Sequence, residues 1–554
     1  MLDAHTDEDN TTTILGSISP SFRIMDGLVY KYLFSVNNSA GTRRSSLAST
    51  INIDGVLDRG LAAFNNQEIT TLQHTHTLSY NGDLTSAIGI NAVVGYEYQD
   101  FRSRGFGLSA QDFPLPELGF NFDNFFGAVP VTSLGVGSGE DPTTELQSYF
   151  GRVNLDIADN LIVTGTVRVD GSTRFGENNR YGVFPSFAAA YKLDNLLGNS
   201  PFNSLKVRAG WGQVGNQEFP SGAAQETFRL DQGGLALENV ANPDLQWETS
   251  TTINVGVDFA LLDYKLSGSI EYFNKNTEDL LFNFPTIQPA PAAFFWINLP
   301  GNVRNSGVEL ALNAFLVENE NFSLNIGGNV SFLTNELEEY NGPTIETGGL
   351  TGQGSTGTFV QRLEEGQPLN AFFLTEFTGL NADGLNDFAN GTDRVFVGDP
   401  NPNTLLGLNA ELGIGNFDVT LNFNGAFGHQ IFNETFQSVL PIGNLGTRNI
   451  ATAFSTTGEA QSNFGTAITR YLENGDYLKL QNATVGYNLG GIGEQISNVR
   501  IYLTGTNVLL FTGYDGFDPE VNTNKGANNI PSFGIEYIPF PSARSFILGA
   551  NVSF

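Results

Sequence analysis

A chain of 554 residues with 64 Gly, 45 Phe and 17 Tyr but only 15% charged residues is too aromatic for disorder and too poor in helix formers for a helical protein. A formal charge of −32 leaves few cations to neutralise phosphate and argues against nucleic acid, and the absence of Cys removes disulfides, thiolate-bound zinc and thiol nucleophiles. No apolar run reaches the roughly 18 residues of a membrane helix, whereas a barrel strand crosses with about 10 residues of alternating polarity.

The start, Met1-Leu2-Asp3-Ala4-His5, has neither a basic nor an apolar leader region, so a signal peptide is expected to be missing. From there on the dominant signal has period two. Leu161, Val163, Gly165, Val167 and Val169 share one face, with Thr164, Thr166, Arg168 and Asp170 on the other. Phe322, Leu324, Ile326, Val330 and Phe332 oppose Ser323, Asn325, Asn329 and Ser331. Phe417, Val419, Leu421, Phe423 and Phe427 oppose Asp418, Thr420, Asn422 and Asn424. The last such segment sets Phe546, Leu548, Ala550, Val552 and Phe554 against Ser545, Ile547, Gly549, Asn551 and Ser553. Alternation suits a strand with two different faces. Polar faces of Asn, Ser, Thr and Gly, on segments longer than the usual globular strand, suit a wet lumen behind a lipid-facing wall.

The connections alternate in length. Short ones are expected at Met25-Asp26-Gly27, Asn81-Gly82-Asp83, Ala158-Asp159-Asn160, Leu262-Asp263, Glu318-Asn319-Glu320 and Gly415-Asn416. Long ones are expected over residues 39–66, 104–143, 215–247, 275–303, 335–402, 429–475 and 513–539. Outer-membrane barrels have short periplasmic turns and long outer loops, and the count is about 17 strands. An odd count starting from the outer surface implies that strands precede residue 1, so residues 1–554 are expected to form a partial barrel domain.

At several points the wording is similar to the barrel half of the SusC/RagA family of TonB-dependent transporters. The similarity runs through Ser148-Tyr149-Phe150-Gly151-Arg152-Val153-Asn154, Arg168-Val169-Asp170-Gly171-Ser172-Thr173-Arg174-Phe175-Gly176 and Tyr181-Gly182-Val183-Phe184-Pro185-Ser186. It continues through Gly212-Gln213-Val214-Gly215-Asn216-Gln217, Asn242-Pro243-Asp244-Leu245-Gln246-Trp247-Glu248 and Val303-Arg304-Asn305-Ser306-Gly307-Val308-Glu309-Leu310. Gly398-Asp399-Pro400-Asn401-Pro402, Tyr514-Asp515-Gly516-Phe517-Asp518-Pro519-Glu520 and the finish from Phe540-Pro541-Ser542-Ala543-Arg544 complete it in the family's order. The resemblance implies an all-β, antiparallel transmembrane barrel of the TonB-dependent receptor type, about 17 of about 22 strands, around a lumen plugged by a domain that this chain lacks. It further implies outer-membrane import of oligosaccharides or peptides with a SusD-like surface lipoprotein, driven through the TonB complex. Alternatives are a passive porin-like or non-functional barrel, or a secreted all-β adhesin or carbohydrate-binding protein.

Individual residues suggest roles. Phe554, with Phe546, Leu548 and Val552, resembles the terminal signal read by the barrel-assembly machinery. Tyr96, Tyr98, Trp211, Tyr272 and Phe273 suit an interfacial girdle at headgroup depth in the outer-membrane lipid. Phe294, Phe295 and Trp296 are candidate ligand contacts in an outer loop, although packing against neighbouring loops explains them as simply. Asn381-Ala382-Asp383-Gly384-Leu385-Asn386-Asp387 has the oxygen spacing of a calcium loop, but Gly379 stands at its first position and no closing Glu follows, so a plain turn is the simpler reading. His74 and His76 share a strand face without an evident third ligand, so no metal is assigned. Gly135-Val136-Gly137-Ser138-Gly139 and Gly348-Gly349-Leu350-Thr351-Gly352-Gln353-Gly354 precede no helix and are expected to be loops. No acid/base pair or nucleophile constellation stands out, and no enzyme is expected.

Overall fold

The computed structural model describes residues 5–51, 56–113, 133–140, 143–194, 198, 200–231, 234–286, 289–292, 294–319, 321–351, 355, 357–439, 441–446, 449–463, 465, 467–520, 522–527 and 530–554. The start before His5, Glu320 of one expected turn, and Gly352-Gln353-Gly354 lie outside the described residues. No helix among the described residues is long and apolar enough to cross a membrane, which says nothing of crossing by strands.

One antiparallel sheet of nineteen strand segments dominates the structure. Two segments merely continue another, which leaves seventeen traverses among the described residues. These are β1 (His5–Ile18, resumed as Ser21–Met25), β2 (Leu28–Leu47), β3 (Leu61–Thr85), β4 (Ile88–Gln111) and β5 (Leu134–Glu140, resumed as Thr144–Ile157). Next come β6 (Leu161–Ser172), β7 (Tyr181–Lys192), β8 (Phe202–Asn216), β9 (Glu248–Leu261), β10 (Leu266–Glu278), β11 (Asn302–Glu318) and β12 (Phe322–Glu338). The last are β13 (Thr404–Ile414), β14 (Phe417–Phe427), β15 (Tyr477–Ile492), β16 (Ile496–Thr512) and β17 (Ser545–Ser553). The gap in β1 has a local cause: Pro20 has no amide hydrogen to donate. The register with β2 passes across it unchanged, and the Pro20 carbonyl still accepts from the Tyr32 amide at 3.1 Å. Each strand pairs with its sequence neighbours, and among the described residues β1 and β17 are paired on one side only.

The alternation read from sequence becomes two faces. Val255, Tyr272, Val308 and Phe332 stand opposite one another on four successive strands, and all are exposed. Val167 is exposed on the same face, whereas Thr166 faces the other way, opposite Arg152 and Ser186. So broad an apolar face is stable only against hydrocarbon. The opposite face is polar. Arg168 pairs with Glu97 at 3.2 Å and Asp170 at 2.7 Å. Lys206 and Arg208 share Asp258 at 2.8 and 3.2 Å, and Arg208 also pairs with Glu271.

Loop length sorts by parity as expected, with corrections in detail. Asn81-Gly82-Asp83 is not a turn but lies inside β3, where Asn81 opposes Asn91 and Gly82 opposes Ile90; the chain reverses after Thr85. Ladder hydrogen bonds belong to the backbone, so a turn-like dipeptide is carried along by its neighbours. For the same reason Gly135 to Gly139 form strand paired with β4, and Gly348 and Gly349 end the short strand Ile345–Gly349. The expected loops at 39–66 and 104–143 are shorter than anticipated, because β2 to β5 project past the apolar band. There polar residues and glycines such as Arg43-Arg44-Ser45-Ser46 and Gly135 to Gly139 interrupt the apolar alternation, which removes the local signal for a strand although the ladder continues.

Candidate functional site

The functional candidate is the crown built by the long loops, since the concavities of the wall among the described residues, as at Asp9, Arg43 and Gln67 or at Arg304 and Glu336, are lined by strand residues alone. Its first core joins the connection after β6, the loop 217–247 and the hairpin Leu280–Pro285 with Phe294–Leu299. Phe175, Phe184, Phe219, Leu245 and Trp247 are buried together, with Leu281 and Trp296 packed against them. Gly176 is required here, because a Cβ would approach the Pro243 Cα to 2.6 Å. Asn242 turns the chain by accepting from the Asp244 amide and donates to the Trp296 carbonyl at 2.8 Å. Asn298 both accepts from the Gln246 amide and donates to its carbonyl. A second core (Phe282, Leu299, Val303, Leu337, Tyr340, Ile345 and Leu363) links that hairpin to the loop 339–403.

The third core fuses three loops. Leu350, Val360, Phe372 and Leu374 come from 339–403; Phe432, Ala467, Ile468 and Tyr471 from 428–476; Ile535 from 513–544. Gln430–Asn433 runs parallel to Ile535–Glu536, with Phe432 opposite Ile535. Buried polar groups pin the same loops. Lys525 sits 3.1 Å from the fully buried Glu434 and 3.6 Å above the Tyr537 ring. Glu459 and Arg470 form a buried pair at 2.8 Å. Glu536 accepts from the Tyr514 hydroxyl at 3.0 Å and the Phe517 amide at 2.7 Å. Burial pushes the Tyr471 hydroxyl up to about 12 and the Glu473 carboxyl above its usual range.

The residues singled out from sequence fall into place unevenly. Phe294 is exposed, Phe295 meets Phe284 edge-on at 6.3 Å, and Trp296 lies 5.7 Å from Phe219 in the first core. The three adjacent rings thus meet different surroundings. Asn381 accepts from the Asp383 and Leu385 amides, and Asn386 accepts from Asn463 and Arg470, so two oxygens of the calcium-like segment already hold protein donors. His76 and His74 use Nδ1 on the hydroxyls of Tyr30 and Tyr32, each at 2.8 Å. Among the described residues no cluster of three or more His, Asp or Glu is placed to hold a metal ion. Tyr96 and Tyr149 lie 5.2 Å apart on the apolar face, and Trp211 stacks on Phe187 at 6.1 Å on the same face. Phe273 is a correction: its neighbour Tyr272 faces outward, so period two turns Phe273 to the lumen. Phe546, Leu548 and Val552 are exposed on the apolar face of β17, and Phe554 lies exposed just past it.

Sequence reading missed the crown as a packed body. Its signal was present, since the motifs from Arg174 to Gly176, Asn242 to Glu248 and Tyr514 to Glu520 are the pins just described, but which motif meets which is a long-range fact.

Wall and crown together define an outer-membrane β-barrel, and the chain belongs to the family described as TonB dependent receptor-like, beta-barrel, whose model matches residues 4–508. Within that family it is of the SusC/RagA kind. It is 30% identical to TonB-dependent receptor P3 of Formosa agariphila, over 99% of this chain and 58% of that protein. It is 26% identical to TonB-dependent receptor SusC of Bacteroides thetaiotaomicron, over 87% of this chain and 50% of that protein. The solved RagAB peptide transporter shares the fold, with a TM-score of 0.85 at 19% identity over 100% of this chain and 63% of that one. The chain thus spans about half to three-fifths of the length of the relatives it matches.

Proposed function

We propose that this chain is the wall and outer crown of a TonB-dependent importer of bulky nutrients, oligosaccharides or peptides, that works with a SusD-like surface lipoprotein. The observation that carries this reading is the crown. A passive channel needs no packed body above its mouth, whereas here six long connections pack into three buried cores. Such a body supplies a shaped, rigid rim on which a lipoprotein lid and a large ligand can seat. Solute passes unchanged in this reading; the chain performs no chemistry and uses no cofactor. Energy would reach it through TonB contacts made by other parts of the whole protein.

The test is uptake of fluorescein-labelled oligosaccharides and peptides by cells carrying the full-length protein. Accumulation should require both TonB and a SusD-like lipoprotein. Uptake that persists without TonB would establish the porin reading instead. A companion proposal concerns assembly: Phe554, with Phe546, Leu548 and Val552, forms the signal read by the barrel-assembly machinery. Phe554→Ser should lower folded barrel in outer membranes yet leave refolding into detergent unchanged; equal loss in both would reduce Phe554 to a packing residue.

A further inference from the structure

A cavity of about 300 Å³ opens on the lumen side of the rim, between β13 to β15 and the crown. Pro400, Pro402, Leu405, Ile431 and Phe533 make its apolar wall, with His429, Tyr477, Glu520 and Asn522 at its edge. Leu405 opposes Ser331 on one side and Ala426 on the other, and alternates with Thr404, which stands opposite the outward Phe332; this register turns Leu405 and Ala426 to the lumen. The cavity thus combines segments of all three loops of the third core.

The polar groups at its edge differ in availability. Glu520 is held by Lys479 and by the Asn424 amide at 2.7 Å. The Asn522 amide donates to the Ser532 carbonyl at 3.3 Å. His429 is the exception: it is 93% buried, and its Nδ1 has no hydrogen-bond partner. Of the charged groups facing it, Asp476 is engaged by the Gly428 amide at 2.6 Å and Asp399 by the Asn401 amide at 2.8 Å. Burial holds the imidazole below its ordinary pKa despite those two carboxylates, so the ring is neutral at neutral pH. A neutral imidazole offers one donor and one acceptor, which matches an amide rather than a charged group.

We propose that this cavity is a subsite for an apolar side chain of a peptide, with the peptide's adjacent backbone amide held by His429. A sugar ring carries hydroxyls around its whole circumference, and most would be buried here against proline and leucine without partners. An aliphatic or aromatic side chain loses nothing by entering, and a neighbouring amide offers a partner to the imidazole, whose Nδ1 has none. The assignment deepens the importer reading by naming its ligand class, and rests on that reading only for its physiological sense.

The experiment uses the full-length protein, purified folded in detergent. Binding of dansyl-Gly-Leu-Gly-Gly, dansyl-Gly-Ser-Gly-Gly and maltohexaose is measured for wild type, Leu405→Trp, His429→Phe and the outward-facing control Leu406→Trp. The leucine peptide should bind about tenfold tighter than the serine peptide, since an apolar pocket discriminates by the apolar atoms it covers. L405W fills the cavity and should abolish that preference; H429F should weaken both peptides equally; L406W should change nothing. Retained heat-modifiable migration shows that each variant is folded. Equal binding of the two peptides, an unchanged preference in folded L405W, or maltohexaose binding lost in L405W would each overturn the proposal. TonB-independent uptake in cells would break the importer reading while leaving these binding ratios intact.

Discussion

The wall turns its apolar side chains away from the protein, whereas the crown turns them inward. On β6 the exposed residue is Val167 and the polar residue faces the lumen; at Leu245 or Phe372 the apolar side chain is the buried one. The difference follows from the solvent each part meets. Hydrocarbon accepts an apolar face without any packing partner, so the wall is held by hydrogen-bond ladders in register and needs no core. The crown stands in water and must bury its own apolar area, which takes residues from several loops at once. The two regions should therefore fail in different ways.

The largest expected effect is in the crown's buried charge. Arg470→Met leaves Glu459 buried without its partner and should cost about 3–5 kcal/mol of crown stability. Limited proteolysis of the detergent-solubilised barrel should then release crown fragments while the wall stays protected. A wall that unfolds together with the crown would erase the distinction drawn here. Leu245→Ala removes a fully buried side chain from the first core and should cost about 2–5 kcal/mol, with the third core unaffected. Protection of residues around Phe372 in hydrogen exchange would show that independence, and a uniform loss would show that the crown is one cooperative unit.

In the wall the informative pair is Val167→Arg against Thr166→Arg. The first puts a cation into hydrocarbon and should cost about 2–4 kcal/mol in a folding titration, while the second enters a wet lumen and should be almost silent. Equal costs would mean that the faces have been exchanged. The smallest effect is the pH response of His429. Its folded pKa lies below the ordinary imidazole value, so the unfolded chain takes up the proton first as pH falls. The stability due to the neutral buried ring is therefore complete above about pH 6.5 and declines below it. Thermal unfolding of the crown should be lower at pH 5.5 than at pH 7.5, and His429→Phe should shrink that difference. An identical pH difference in the variant would assign it to the neighbouring carboxylates.

Legibility differed between the regions as their physics does. Alternation over Phe322 to Phe332 or Phe417 to Phe423 was readable because a strand's two faces are set by adjacent residues and by one solvent on each side. Turns with special backbone needs were readable too, as at Gly27, where φ is 77°. The aromatic triplet at Phe294 could not be resolved from sequence: whether a ring packs or waits for ligand depended on Phe219 and Phe284 arriving from elsewhere. His429 gave no signal at all, being a lone histidine between two unremarkable residues.

What the sequence by itself determined is the kind of object: an antiparallel wall with a lipid side, a water side and loops sorted by length, because period two and turn chemistry are local. Only the tertiary structure decided that three distant loops share the core around Phe372, Phe432 and Ile535, that Glu459 meets Arg470, and that Pro400, Leu405 and Phe533 enclose a cavity. Those facts depend on which side chains meet between separate turns and loops, from 11 residues apart at Glu459 and Arg470 to far larger separations around Ile535, and no local periodicity encodes such a meeting.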